Sequence, residues 1–217
     1  MYQPAVFRED RLETLHAVIR SRPLGTLITA GVGGLIANLV PFILADGGEK
    51  GTLRAHVAKA NDQLDALRGG AETLVVFHGP EAYITPSWYV STKEHGRVVP
   101  TWNYVVVQVR GTPRVIDDIA WIREQIDSLT SAQENKRSAP WKVSDAPESF
   151  ISSQIGAIIG VEIPILNIEG KWKVSQNRSV ADRQGVQEGL QNEGISSEMA
   201  RLVAENNAAA KQDKWRP

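Results

Sequence analysis

The sequence predicts a mainly β protein with peripheral α-helices, folded as an antiparallel barrel or sandwich. Six runs rich in β-branched residues follow one another between Gly, Pro and Asp over residues 24–116. The run "YVVVQV", Tyr104–Val109, is apolar on both faces, which is typical of a central strand covered on each side. Short turns between the runs favour antiparallel pairing.

The chain opens with a predicted helix in "EDRLETLHAVIRSRP". Four residues recur at helical spacing and define its buried stripe: Leu12, Leu15, His16 and Ile19. Asp10 is expected to cap its N-terminus, with Glu13 three residues further on, and Pro23 follows its end. Because His16 belongs to the stripe, we expect a packed and hydrogen-bonded histidine there.

The strands come next and carry one short helix between them. The predicted strand segments are "LGTLITAG", "GLIANLVPFILADGG", "GTLRAHVA", "TLVVFHG", "EAYITP" and "NYVVVQVRGTPRVI". The sequence "GVGG", Gly31–Gly34, indicates a hairpin turn. The segment "AKANDQLDALRGG" predicts a helix that ends at its Gly pair, with Leu64 and Leu67 facing inward.

The C-terminal third combines helices with two more strands. A helix in "DDIAWIREQIDSLTSAQE" has a stripe of Ile119, Ile122, Ile126 and Leu129. Another is expected around "ESFISSQIGAI", and two more in "GVQEGLQNEG" and "SSEMARLVAENNAAA". Between them, "IIGVEIPILNIEGKWKVSQNR" predicts two strands joined by a turn at Glu169 and Gly170. The tail after Asn207 is expected to be disordered.

Composition narrows the function classes. The 217 residues are 42% hydrophobic and 23% charged, and 24 basic against 25 acidic residues give a net charge of -1. This balance supports neither a membrane partner nor direct DNA binding. The absence of cysteine excludes disulfides and thiolate ligands, and the four scattered histidines predict no metal site. An N-terminus without a basic and then apolar leader indicates a cytoplasmic protein.

A phosphate site is one interpretation of "GTLRAHVAKAND". On an alternating strand, Arg54 and His56 face the same way, and the chain then turns into a helix near Lys59 and Asn61. Cationic donors and open helix amides would converge there on an anion. The alternative is a solvated basic turn after a strand.

Aromatic residues cluster in "GPEAYITPSWYVSTKEHGRVVPTWNY", Gly79–Tyr104. The large rings in and before this segment are Phe77, Tyr83, Trp88, Tyr89, Trp102 and Tyr104. Three prolines stiffen the connections, so the segment suits a subunit interface or a wall against a flat ring. The alternative is the ordinary packing of a long hairpin.

The third candidate is "GKWKVSQNR". Lys171, Lys173 and Ser175 share one face of a predicted strand, opposite Trp172 and Val174. The polar residues that follow could reach an anion or the edge of a heterocycle. The alternative is a helix N-terminus capped by Asn177 or Ser179.

Five motifs in order resemble one family. They are "MYQPAVF", "HVAKAND", "GPEAYITPSWY", "VPTWNY" and "KWKVSQNR". They resemble the PaiB family of FMN-binding split-barrel proteins, labelled negative transcriptional regulators, and the resemblance runs from Met1 to about Gln191. It implies a six-stranded antiparallel split β-barrel and a homodimer that holds FMN in clefts between its subunits. Residues 1–177 would form the FMN-binding domain, and residues 178–217 a helical extension with a disordered tail.

The resemblance also suggests cofactor-binding residues. The strand "IANLVP" is expected to bring its backbone to the flavin ring at Asn38, Leu39 and Val40. His56, Lys59 and Asn61 match the segment that holds the FMN phosphate, and Arg54 is added on charge and strand face. The residues expected near the cofactor from the partner subunit are Trp102, Asn103, Lys173, Gln176 and Asn177.

Three functions follow from this resemblance. The first is an FMN-binding, PaiB-like regulator that acts indirectly or through a protein partner. The second is an FMN-dependent oxidoreductase acting on a small molecule, with His56 or Tyr104 as proton donor. The third is a haem-binding or haem-degrading split barrel that uses His56 or His78.

Overall fold

The computed structural model describes residues 1–213, with side chains described to residue 207. The chain divides into two compact units. The larger unit comprises residues 11–77 and 108–168, and the smaller unit comprises residues 1–10, 78–107 and those from 169 onwards. The expected domain boundary after residue 177 stays a prediction, and residues 214–217 of the expected disordered tail lie outside the described residues.

The described chain contains both strands and α-helices. The strands are β1 Arg8–Glu9, β2 Leu24–Gly31, β3 Gly34–Pro41, β4 Ile43–Ala45, β5 Thr52–Ala58, β6 Thr73–Ile84, β7 Thr101–Gly111, β8 Arg114–Ile116, β9 Ile158–Pro164 and β10 Asn167–Lys173. The helices are α1 Leu12–Ser21, α2 Leu64–Arg68, α3 Val90–Glu94, α4 Ile119–Glu134, α5 Glu148–Gly156, α6 Val180–Asn192 and α7 Ser197–Asp213. Within residues 1–213, no helix is both long and apolar enough to cross a bilayer.

The strands form two sheets. A six-stranded antiparallel sheet has the order β1-β10-β7-β6-β2-β3, and a four-stranded sheet has the order β4-β5-β9-β8. The mainly β fold with a six-stranded sheet is therefore confirmed. The predicted hairpin at Gly31–Gly34 joins β2 to β3, with Gly34 at a φ of 101° that favours glycine. The central position predicted for "YVVVQV" is also confirmed, because β7 lies between β10 and β6.

Four predicted strand segments were wrong in their boundaries. "TLVVFHG" and "EAYITP" form the single strand β6. Gly79, where the two segments meet, stays in the strand because it packs against Val105; a Cβ on Gly79 would lie 2.7 Å from the Val105 side chain. "GLIANLVPFILADGG" divides after Pro41 into β3 and β4. "NYVVVQVRGTPRVI" divides at Pro113 into β7 and β8. Proline lacks the N–H that a continuous ladder needs.

Three smaller predictions were also wrong. Glu169 and Gly170 lie within β10, where Gly170 pairs with Glu9, and the connection from β9 runs through residues 165–166. The N-cap of α1 is Arg11, without a side-chain cap, so Asp10 does not cap it. On α4 the side chain of Ile119 is 73% exposed because it is the first helical residue, directly after the N-cap Asp118.

The larger unit has a continuous apolar interior. Phe42 and Phe77 meet edge to face with their ring centroids 5.7 Å apart. Under α4 and α5, Ile122 packs with Val143 and Ile151. His16 is hydrogen-bonded as predicted, since its Nε2 donates to the Lys50 carbonyl at 2.9 Å. These contacts fix the strands that carry the candidate residues of this unit.

Candidate functional site

Gln63 holds β3 in place within the larger unit. Its side chain is fully buried, and its Nε2 donates to the carbonyls of Leu27 and Ile36 at 3.0 and 3.1 Å. Its Oε1 accepts a hydrogen bond from Asn38 Nδ2 at 2.9 Å. The amide of Asn38, a predicted cofactor residue, is therefore held by Gln63, which sequence reasoning missed.

The outer face of β3 is apolar and open. Leu35 and Leu39 are 78% and 65% exposed, whereas Val40 is buried on the opposite face. Among the described strands, β3 is an edge of the six-stranded sheet. An exposed apolar edge strand is a surface suited to association with another chain.

The charge of Arg54 is already balanced within the larger unit. Its Nε lies 3.1 Å from Glu162 Oε1 and its Nη1 lies 3.6 Å from Glu124 Oε1. The guanidinium also lies over the ring of Trp121, 5.6 Å from its centroid. Arg54 is thus on the predicted strand face, but two carboxylates compete for it with any anion.

Lys59 is held more loosely. Its Nζ lies 3.2 Å from Asp117 Oδ1, and both side chains are largely exposed. Exposed pairs of this kind contribute little to stability, so the ammonium can exchange Asp117 for another anion. Next to it, Asn61 Oδ1 accepts a hydrogen bond from the backbone N–H of Gln63 at 2.8 Å and shapes the turn into α2.

His56 contacts a second buried glutamine. Its Nδ1 lies 2.6 Å from Gln125 Oε1, so Nδ1 carries the proton and Nε2 stays open. Gln125, on α4, is buried, and its Nε2 has no acceptor among the described residues. A buried donor without a partner is costly, and an anionic ligand would satisfy it. Sequence reasoning missed Gln125 because it lies 69 residues from His56 along the chain.

The smaller unit positions a second set of predicted residues. Lys173 Nζ donates to the hydroxyl of Thr101 and to the Trp102 carbonyl, the latter at 2.6 Å. Burial lowers the pKa of Lys173 below its usual value, and the neighbouring charges of Lys171 and Arg178 lower it further. The ammonium therefore lies in a field that favours an added negative charge.

Asn103 is buried beside the turn that follows β10. Its Nδ2 donates to Ser175 Oγ at 2.8 Å, while its Oδ1 has no partner among the described residues. Ser175 has a φ of 67°, a left-handed conformation that is unusual for a residue other than glycine. Gln176 uses both ends of its amide on the chain itself, accepting from the Val174 N–H and donating to the Trp172 carbonyl. Asn177 is exposed.

Trp102 presents its ring to solvent. Its side chain is 52% exposed and meets Tyr83 edge to face, with centroids 6.0 Å apart. Tyr83 is also exposed, whereas Phe77 and Tyr89 are buried. The aromatic segment thus contains both packed rings and rings that remain open to a ligand or a partner.

A buried carboxylate fixes the start of α6. Ser179 is its N-cap, one of the two caps that the sequence suggested, and its Oγ accepts from the Asp182 N–H. Asp182 is buried and accepts from the amide and hydroxyl of Ser91 on α3. Burial alone would raise the pKa of Asp182, but the Ser91 hydrogen bonds, with help from Ser179 and Arg178, lower it overall. The spacing from Ser179 to Asp182 is a capping signal that could have found this acid.

Tyr89 is packed between charges in the same region. Its ring lies 4.7 Å from the Arg178 guanidinium carbon. Burial raises the pKa of Tyr89, although the charge of Arg178 opposes that rise. Its hydroxyl is buried without a hydrogen-bond partner among the described residues.

The predicted residues therefore fall into two groups, one in each unit. The larger unit carries Asn38, Leu39, Val40, Arg54, His56, Lys59 and Asn61. The smaller unit carries Trp102, Asn103, Lys173, Gln176 and Asn177. The roles of all twelve in cofactor binding stay predictions.

Comparisons with solved structures define the class of fold. The chain superimposes on a FAD and haem binding protein of Mycobacterium smegmatis with a TM-score of 0.57 at 19% identity, covering 76% of this chain and 73% of that one. A conserved hypothetical protein of Mycobacterium tuberculosis gives a TM-score of 0.58 at 12% identity, covering 82% and 94%. The fold is a split β-barrel like that of these structures, as predicted.

Sequence comparisons define the family. Residues 1–167 match the family model FMN_bind_2, described as "Putative FMN-binding domain", and the chain belongs to this family. It is 38% identical to an uncharacterized protein of Emericella nidulans, over 91% of this chain and 93% of that protein. It is 30% identical to the protease synthase and sporulation protein PAI 2 of Bacillus subtilis, over 89% and 90%. The resemblance to PaiB is confirmed, and FMN is the cofactor of the domain.

Proposed function

We propose that the protein is a homodimeric, PaiB-type regulatory protein that holds FMN between its subunits and acts through a protein partner. The observation that carries the FMN site is the open donor set beside β5 in the larger unit. Lys59 has only an exposed counterion, and Gln125 has a buried Nε2 without an acceptor among the described residues, while His56, which donates from Nε2 only as imidazolium, orients Gln125 through Nδ1. Together they suit a phosphate group, which carries about two negative charges near neutral pH.

The residues of the larger unit have different roles in binding FMN. Lys59 and His56 contact the phosphate, while Asn61 shapes the turn that presents them. Arg54 lies on the same strand face, where Glu162 and Glu124 compete with the phosphate for its guanidinium. The backbone of β3 at Asn38, Leu39 and Val40 meets the flavin ring, and Gln63 keeps that strand in register.

The flavin-facing group comes from the smaller unit of the partner subunit. Trp102 supplies an exposed ring, and Lys173 supplies an ammonium with a lowered pKa. Asn103 and Gln176 support the turn around Ser175, which leaves Asn177 exposed for contact. A site completed by two chains accounts for the absence of any contiguous flavin motif in the sequence.

The homodimer is supported by the outer face of β3. Leu35 and Leu39 expose adjacent apolar surface on an edge strand, and a second copy of the chain would bury it. Because Leu39 is also assigned to the flavin, pairing of the subunits and cofactor binding are coupled. With this coupling, a regulatory protein can convert the binding of its cofactor into a change in subunit association.

Regulation is proposed to be indirect. The net charge is -1, and 24 basic residues are offset by 25 acidic ones, so a DNA-binding surface lacks charge support. The Bacillus subtilis relative is named for protease synthesis and sporulation, which are processes rather than a reaction. A cytoplasmic protein partner is the target that fits both observations.

An FMN-dependent oxidoreductase is the second candidate. FMN supplies redox chemistry when it is bound, and the protein supplies position and charge. The observation in favour is Tyr104, whose ring lies 5.3 Å from Lys171 Nζ and 5.9 Å from Lys173 Nζ. A phenol beside two ammonium groups is suited to transfer a proton to a small substrate.

The phosphate assignment is tested with the variant Lys59→Ala. It is expected to weaken FMN binding by about tenfold or more, while riboflavin, which lacks the phosphate, binds as it does to the unaltered protein. Lys136→Ala, which removes an exposed lysine of the same unit, is the matched control and leaves both affinities unchanged. Equal losses for FMN and riboflavin would refute the role of Lys59.

A further inference from the structure

Three cations of the smaller unit lie against aromatic rings and make no ion pair among the described residues. They are Lys171, Lys173 and Arg178. Lys171 is buried, yet its Nζ contacts only the Tyr2 carbonyl, at 3.1 Å, and the rings of Tyr2 and Tyr104. A buried cation without a carboxylate is costly, so the arrangement calls for an anion.

Three cations of the larger unit differ in this respect. Arg54, Lys59 and Arg114 each lie within ion-pair distance of a carboxylate. In the smaller unit, Asp182 is the acid that interacts with the cluster by charge, through Arg178. Both of its carboxylate oxygens also accept hydrogen bonds from Ser91. Asp182 thus offsets part of the charge of Arg178, whereas Lys171 and Lys173 have no described carboxylate of their own unit within ion-pair distance.

Exposed rings lie beside these cations. Trp102 and Tyr104 are two residues apart on β7 and share one face of the strand. Lys173 reaches the Trp102 carbonyl and the Tyr104 ring, and Trp102 meets Tyr83. The surface formed by these rings and the three cations is here called the cationic platform; Trp102 and Tyr83 are exposed, whereas Lys171 is buried.

We propose that the cationic platform binds a planar aromatic carboxylate as the substrate or effector of the protein. The ammonium groups and the guanidinium bind the carboxylate, and the rings of Trp102 and Tyr83 contact the flat apolar part of the ligand. Burial lowers the pKa of Lys173 and the charges of Lys171 and Arg178 lower it further, and an added negative charge offsets that repulsion. The proposal rests on the proposed function in one respect, because Trp102 and Lys173 also belong to its flavin-facing group.

The test uses benzoate as probe on the full chain, with and without saturating FMN. Benzoate is expected to quench tryptophan fluorescence saturably, and benzamide, its neutral analogue, is expected to bind about tenfold or more weakly because it lacks the charge. Acetate, which carries the charge without the ring, is expected to be weaker than benzoate as well. Equal affinity for benzoate and benzamide would overturn the proposal.

Variants locate the site. Lys171→Met and Arg178→Gln are each expected to weaken benzoate about tenfold, whereas Lys93→Met, an exposed lysine on α3, leaves it unchanged. Arg178→Lys keeps the charge and is expected to recover most of the affinity. Thermal melts accompany each variant, and if Lys171→Met does not fold, the pair of Arg178 variants decides. Unchanged benzoate affinity in folded Arg178→Gln overturns the proposal.

Parallel FMN titrations separate the two ligands. If benzoate binds but FMN does not, the proposed function fails while the platform stands. If FMN displaces benzoate competitively and Arg178→Gln weakens both ligands equally, the cations belong to the flavin site and the platform as a second site is refuted. Competition that leaves the FMN affinity of Arg178→Gln unchanged supports the platform, because Trp102 and Lys173 are shared with the flavin-facing group. Independent saturation of both ligands on one protein supports the proposal.

Discussion

The carboxylate of Asp182 accepts both the backbone amide and the hydroxyl of Ser91, at 3.0 and 2.9 Å. These two bonds join the first turn of α6 to α3, within the aromatic segment Gly79–Tyr104. Asp182 is buried, and Ser91, Asp182 and Trp102 all belong to the smaller unit. The pairing therefore positions the segment that leads to Trp102 within that unit. Its removal is therefore expected to affect stability more than charge.

Asp182→Asn is expected to destabilise the protein by about 1–3 kcal/mol at pH 7, because a buried hydrogen-bond partner is lost. The folded pKa of Asp182 lies below its ordinary value of 3.8, so its contribution is present above that pH and is lost as the pH falls through the folded pKa. Urea unfolding from pH 7 to pH 3 measures this. The difference between the two proteins should shrink at low pH, and Asp127→Asn, an exposed acid on α4, should show none.

Gly189 is required where α6 meets Trp88. A Cβ at Gly189 would overlap the indole ring, and one at Gly185 would overlap the Trp88 carbonyl. Gly189→Ala is expected to cost about 2 kcal/mol in the free energy of unfolding, although alanine favours helix. In a Trp88→Ala background the same substitution should cost nothing, and Gly156→Ala, with open space around its Cβ, is the control. An equal cost in both backgrounds would contradict this packing.

Gln63→Ala is expected to lower the free energy of unfolding by about 3 kcal/mol, because several buried partners lose their hydrogen bonds. FMN affinity should fall with it, since Asn38 loses its anchor on β3. Chemical denaturation and FMN titration measure the two effects, with Gln133→Ala on the exposed side of α4 as control. A folded variant with unaltered FMN affinity would show that β3 does not contribute to cofactor binding.

Leu35→Lys tests the apolar face of β3. Burying a lysine between two copies is unfavourable, so the variant is expected to be a monomer in sedimentation experiments and to bind FMN more weakly. Val32→Lys, in the adjacent turn and fully exposed, is the matched control that should remain dimeric. A dimeric Leu35→Lys protein would move the interface to another surface.

Local signals predicted much of the fold. Glycines at Gly31 and Gly34 marked a real hairpin, and Ser179 was a real helix cap. The same local logic was wrong at Glu169–Gly170, because pairing of β10 with β1 overrides the turn preference of that dipeptide. Whether a dipeptide typical of turns lies inside a strand depends on pairing with the neighbouring strand. A local sequence pattern contains no information on that pairing.

The candidate site was less accessible to sequence reasoning. The motifs led to His56, Lys59 and Asn103, but the residues that hold or neighbour them are distant in sequence. Gln63 lies 25 residues from Asn38, and Gln125 lies 69 residues from His56. Asp182 was the exception, since its spacing from Ser179 follows a known capping pattern. Side chains that support a site through the fold leave little signal in one sequence.

The most direct measurement is an absorbance and fluorescence spectrum of the purified protein, followed by titration with FMN. Flavin bands in the purified protein, or saturable quenching of fluorescence at low micromolar FMN, are expected. A Soret band would indicate haem in place of flavin. A folded protein that shows no flavin bands and no saturable response to FMN would contradict the central claim.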